Sequence, residues 1–196
     1  MAKIDIAEIK KLKELSGVGL TDAKNALVEA DGDFDKALEA MRKKGLTKAE
    51  KRGDRETREG VIDSYIHDGR IGAIVEVNCE TSFVAKTDEF KDLAHKFPMQ
   101  VASMNPLYVS AEDIPEEART AKQKELEANF KGPENMKEQI LAGQIKKAFA
   151  DKILLDQPYI LDDSKTVAEF IKDNIAKTGE NISIKQFKRI ELGITE

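Results

Sequence analysis

The sequence predicts an α+β protein, with an N-terminal three-helix unit followed by a core of a three-stranded antiparallel sheet and flanking helices. Three observations carry that expectation. The first 45 residues hold three short apolar stripes at helical spacing, VIDSYI and IGAIVEVNC are neighbouring strand patterns, and a third strand pattern, ISIKQFKRIEL, follows a long helical stretch. At 196 residues the chain suffices for one good core and a smaller unit beside it, since domains cluster at about 100–150 residues.

In the first helix Ile6, Ile9 and Leu12 give a broad apolar face that ends at SGVGL, where Gly17 and Gly19 permit a tight turn. Thr21 is placed to cap the second helix, which carries Ala23, Ala26, Leu27 and Ala30 at i, i+3, i+4, i+7. Gly32 is expected at its left-handed C′ position. The third helix repeats the spacing with Phe34, Ala37, Leu38 and Met41 and is expected to stop at Gly45. Helices this short are stable only when packed on one another. The pattern then dissolves into KAEKRGDRETRE, giving expected boundaries of 1–47 for the helical domain, 48–59 for a charged linker and 60–196 for the core. Arg42, Lys43, Lys44, Lys48, Lys51 and Arg52 form a basic cluster, read as a solvated face rather than a dock for an acidic surface.

The core opens with a hairpin, because Asp68-Gly69 in HDGR supplies the turn chemistry between two strands. Ala73, Val75, Val77 and Cys79 share one strand face, so Cys79 points inward and reads as a buried thiol rather than a nucleophile. Phe90, Leu93, Ala94 and Phe97 mark a helix with Thr87 as its cap. Pro98 lies within that pattern, where a missing N–H and a ring clash predict a kink. Ile114-Pro115 opens a mostly charged helical stretch to Phe130, and Gly132-Pro133 ends it. Another helix, expected from about 134 to 155, carries Leu141, Ile145, Ala148 and Phe149. Ser164 or Thr166 then caps a helix with Val167, Phe170, Ile171 and Ile175, stopped by Gly179. In the last strand the alternation slips between Ile184 and Phe187, as a bulge would make it do.

Composition excludes several classes of function. With 35% charged and 40% hydrophobic residues the chain reads as an ordinary soluble protein, and its net charge of -5 argues against nucleic acid as a direct partner. No run of about 18 apolar residues could span a membrane, and MAKIDIAEIKKLKEL is too charged for a signal peptide, so a cytoplasmic protein is expected. One cysteine and two histidines leave no internal disulfide and no cysteine-based or histidine-rich metal site. The common phosphate-binding loops and nucleophile motifs are absent too, so neither a cofactor, a metal nor an enzyme activity is expected.

One stretch, NCETSFVAK, resists a purely structural account. Phe83 lies seven residues before Phe90 and would share its apolar face on a continuous helix, but Lys86 and Thr87 interrupt the stripe. Phe83 is therefore either a core residue or an aromatic anchor carried on a short turn for a partner.

Four blocks in order resemble the elongation factor Ts family, in a short bacterial form. KKLKELSGVGLTDAKNAL is similar to the family's Thr-Gly-x-Gly-Met-x-Asp-x-Lys signature, and VEVNCETSFVA to its Asn-Cys-Glu-Thr-Asp-Phe-Val-Ala signature. LLDQPYI and GENISIKQFKRIELG match two further blocks. The resemblance implies an N-terminal ubiquitin-associated-like domain and a guanine-nucleotide exchange factor that binds elongation factor Tu and releases its GDP. It implies that Phe83 is a wedge into an apolar slot of the partner, framed by Thr81, Ser82 and Val84. It makes Lys10, Lys13, Leu20 and Thr21 candidates for an N-terminal grip, and a single copy of the core region implies a homodimer. Two departures stand out: Ser82 replaces the family's usual Asp, and Pro98 replaces an ordinary helix former. Two other readings remain beside this one. An adaptor would dock its partner through Gly17, Val18, Gly19 and Leu20, and an RNA-associated protein would use the basic cluster from Arg42 to Arg58.

Overall fold

The computed structural model describes residues 5–16, 19–130, 132–133 and 136–194. Its elements in chain order are α1 (Ile6–Ser16), α2 (Leu20–Glu29), α3 (Phe34–Glu50), β1 (Glu59–His67), β2 (Ile71–Cys79), α4 (Ser82–Ala85) and α5 (Asp88–Met104). There follow α6 (Glu116–Ala128), α7 (Lys137–Phe149), β3 (Pro158–Tyr159), β4 (Asp162–Thr166), α8 (Val167–Thr178) and β5 (Ile182–Glu191). An antiparallel sheet of order β1-β2-β5 and a two-stranded antiparallel sheet of β3 and β4 complete the α+β architecture. The hairpin turn is the one that Asp-Gly favours: Arg70 N–H donates to His67 O at 2.9 Å, with φ of 48° at Asp68 and 67° at Gly69.

The chain divides into two compact units, Met1–Val61 with Val77–Leu93 and Glu169–Ser183, and Ile62–Glu76 with Ala94–Ala168 and Ile184–Glu196. In the first, Ile9, Leu12, Ala23, Ala26, Leu27, Ala37 and Met41 form one apolar cluster from α1, α2 and α3. Ile6 does not join it and is 70% exposed, so the buried stripe of α1 is narrower than its sequence suggests. Thr21 is not the cap of α2; Gly19 occupies the N-cap without any side-chain cap, and Thr21 sits inside the first turn. At the other end of α2 the left-handed C′ residue is Asp31 rather than Gly32. Asp31 N–H donates to Val28 O at 3.1 Å and Gly32 N–H to Leu27 O at 2.8 Å, the paired bonds of a Schellman motif. Nor does α3 stop at Gly45. The helix runs on to Glu50, and the glycine serves a close approach instead: a Cβ would lie 3.1 Å from Ala176 Cβ on α8. Gly17 and Val18 of the expected turn lie outside the described residues, as do the side chains of Arg42 and Lys48.

The second unit is organised by a buried amide pair. Gln100 and Gln157 are almost fully buried. Gln100 Nε2 donates to Gln157 Oε1 at 3.2 Å and to Pro158 O at 3.1 Å, while its Oε1 accepts from Ile160 N–H at 2.9 Å. Gln157 Nε2 donates to the carbonyls of Met104 and Asp151, which leaves neither side chain short of a partner, as burial of an amide requires. Pro98 lies inside α5, which continues to Met104. The α7 helix ends at Phe149 and gives way to two 3-10 turns, so it is shorter than expected, and Ile145 and Ala148 are only half-buried. The small β3–β4 sheet was not legible, since DDSKT has no strand-like side-chain pattern. In β5, Lys185 and Gln186 are exposed in succession where the alternation slips.

Candidate functional site

The stretch after β2 is an exposed tip on a buried base. Val77 and Cys79 are fully buried. Burial, helped by the Glu180 carboxylate, pushes the Cys79 thiol up to about 11. A thiol so raised is inert at neutral pH, and its Sγ–H donates to Thr81 O at 3.3 Å. The next two residues turn the chain. Glu80 Oε1 accepts from Asn181 N–H at 2.6 Å, and its Oε2 lies 3.3 Å from Arg55 Nη1. Thr81 N–H donates to Glu180 Oε2 at 3.0 Å and Thr81 Oγ1 donates to Glu180 Oε1 at 2.5 Å.

Thr81 also starts α4. It is extended at the N-cap, and its hydroxyl accepts from Val84 N–H at 3.4 Å. Thr87 closes the other side: its hydroxyl donates to Val84 O at 2.8 Å and accepts from Phe90 N–H at 3.2 Å, which makes it the expected cap of α5. With a threonine bounding it at each end, α4 forms a separate turn rather than an extension of α5. Ala85 packs inward, Val84 is half-buried, Ser82 is exposed, and Phe83 projects with 81% of its surface accessible. The core reading of Phe83 is therefore wrong. Phe90, seven residues on, is fully buried.

The candidates near the N-terminus lie on other elements of the same unit. Lys10 and Lys13 are exposed on α1, and Leu20 and Thr21 are exposed in the first turn of α2, with Leu20 at 52%. Members of the basic cluster are engaged locally: Lys43 with Glu39 at 2.8 Å, Lys44 with Asp22 at 3.2 Å. Further along, Arg58 meets Glu56 at 2.7 Å. Glu180 and Asn181, which hold the tip, were not identified as site residues from sequence. The residues they hold, Thr81 and Glu80, are about a hundred positions away, beyond the reach of any local pattern. Among the described residues no group of three His, Cys, Asp or Glu side chains could hold a metal ion. The site offers an aromatic face on a braced turn, which suits binding another protein.

Residues 45–194 match the family model described as Elongation factor TS. Elongation factor Ts of Thermotoga maritima is 49% identical over 193 residues, covering 97% of each chain. That of Moorella thermoacetica is 48% identical over 195 residues, covering 97% of this chain and 96% of its own. A longer relative from Rippkaea orientalis is 49% identical over 98% of this chain and 80% of its own length. With such identity over nearly its whole length, the chain belongs to the elongation factor Ts family of translation elongation factors.

Proposed function

We propose that this chain is a guanine-nucleotide exchange factor that binds elongation factor Tu and accelerates loss of its GDP, with Phe83 as the apolar wedge. The observation that carries the reading is a phenylalanine 81% exposed on a turn whose backbone is fixed by side chains on both sides. An aromatic so exposed gives up little packing within its own fold by entering an apolar slot and retains most of its burial free energy for the partner, about 1.5–3 kcal/mol for a whole side chain. Lys10, Lys13, Leu20 and Thr21 act as a second grip, on a three-helix domain of residues 1–47 joined through 48–59 to a core of 60–196.

The mechanism is linkage. If the factor and GDP each weaken the other's hold on elongation factor Tu, the coupling free energy is the same in both directions, and no residue of this chain need touch the nucleotide. Excess GTP then removes the factor by mass action. An apolar wedge suits such a cycle, because its attachment is strong enough to favour the distorted partner and still reversible.

The same reading includes a homodimer in the cytoplasm. Its support is an apolar sheet face: Ile62 and Ile66 on β1, Ile74 on β2 and Ile190 on β5 are 46–73% exposed, and Gln186 reaches Glu76 across the same face at 2.8 Å. A second copy would cover these isoleucines by presenting the same face, as a two-fold interface does. No described helix is long and apolar enough to cross a membrane.

The test is release of a fluorescent GDP analogue from elongation factor Tu, chased with unlabelled GDP, with catalytic amounts of this chain. Acceleration with turnover supports the proposal. Tight binding without acceleration would replace it with the adaptor reading.

A further inference from the structure

We infer that Glu180, in the turn between α8 and β5, is a positioning residue for Phe83, an inference that rests on the wedge reading above. A four-residue helix cannot hold itself, since its single turn orders more backbone than its hydrogen bonds repay. Its direction must be set from outside: Thr87 bonds Val84 O at one end, and Glu180 bonds the N-cap Thr81 at the other.

The chemistry is specific. Both carboxylate oxygens are committed to one residue, Oε2 accepting from Thr81 N–H at 3.0 Å and Oε1 from Thr81 Oγ1 at 2.5 Å. A threonine hydroxyl has one proton to give. Because that proton goes to Glu180, the lone pairs of Oγ1 remain for the N–H of Val84, the bond that starts α4. The carboxylate thus fixes the rotation of the hydroxyl as well as the position of the backbone, and Phe83 is carried between the two bonded residues.

Glu180 is itself held. Its N–H donates to Thr178 Oγ1 at 3.3 Å, and Gly179 at φ 79° turns the chain toward the site. The next residue reciprocates, with Asn181 N–H donating to Glu80 Oε1 at 2.6 Å. Asn181 Nδ2 donates to Gly53 O at 3.1 Å and Arg55 O at 2.7 Å, anchoring the turn to the segment after α3. Two adjacent residues of one turn are therefore bonded crosswise to two adjacent residues of the other, which fixes both translation and tilt.

The experiment is the GDP-release assay with Glu180→Ala, Glu180→Gln, Phe83→Ala and the double variant Glu180→Ala/Phe83→Ala, over a range of factor concentrations. The maximal release rate should fall about tenfold in Glu180→Ala, with the half-saturating concentration changed less than about threefold. Glu180→Gln, which keeps one acceptor oxygen, should lie between it and the wild type. The double variant should be no slower than Phe83→Ala alone, because Glu180 acts through Phe83. An unchanged rate in Glu180→Ala, or an equal loss added on the Phe83→Ala background, overturns the positioning role while leaving the wedge intact. A Phe83→Ala variant as fast as the wild type overturns both. If Glu180→Ala does not fold, Glu180→Gln carries the test: a lowered maximal rate is expected, and a rate equal to the wild type refutes the positioning role.

Discussion

Replacing Phe83 and Phe90 by alanine, one at a time, separates two phenylalanines that lie seven residues apart in the sequence. Phe90 is fully buried, and truncating such a side chain costs about 3–5 kcal/mol through lost transfer free energy and the cavity left behind. Phe83 is 81% exposed, so only about a fifth of its surface contributes to the fold. A fifth of the roughly 1.5–3 kcal/mol for a buried side chain is about 0.3–0.6 kcal/mol. In urea unfolding, with a slope of about 2 kcal/mol per molar, Phe90→Ala should lower the midpoint by about 1.5–2.5 M and Phe83→Ala by no more than about 0.3 M. A loss of more than about 1.5 kcal/mol in Phe83→Ala, at unchanged slope, would mean that Phe83 packs into the fold and is not held out for a partner.

The dimer face predicts that Ile62→Lys combined with Ile190→Lys sediments as a monomer where the parent chain sediments as a dimer; a monomeric parent would refute the assignment. Leu20→Ala should raise the half-saturating concentration for exchange about four- to twelvefold, from the exposed half of a leucine's burial free energy, with the maximal rate within about twofold of wild type. Cys79, held near 11, should be about one part in a thousand thiolate at pH 8 in the native chain, against about a quarter when unfolded, so a thiol reagent should label it promptly only in denaturant. The native thiol keeps its proton above the unfolded value of about 8.5, so its contribution to stability should fall as pH rises from there toward 11, and Cys79→Ala should make the slope of urea midpoints with pH shallower.

Much of the fold was legible because its determinants are local. Asp68-Gly69 wrote the hairpin, the stripe from Phe90 to Phe97 wrote a buried helix face, and the alternation from Ala73 to Cys79 set which face of β2 is inside. Where the reading failed at Gly45 or stayed open at Phe83, the deciding contact lay far off in the chain, whereas at Thr21 the error was local. Gly45 looks like a terminator until Ala176 is beside it. Thr21 looks like a cap, yet Gly19 takes that place with no side chain to donate or accept. The sequence pattern left Phe83 open between core and tip. Thr81 and Thr87 decide it by bounding α4 on both sides, and Thr81 does so with a carboxylate 99 positions away, which no periodicity can signal. The partner of the tip was legible only through resemblance, since nothing in spacing or charge names a GTPase.

The central claim is that an exposed phenylalanine on a braced turn drives nucleotide release from elongation factor Tu. The most direct measurement is the stopped-flow rate of fluorescent GDP release from elongation factor Tu with saturating wild-type chain and with Phe83→Ala. With four-fifths of its burial free energy realised only on the partner, Phe83 should account for about an 8- to 60-fold difference in that rate. Equal rates, from two chains of equal stability, would contradict the account.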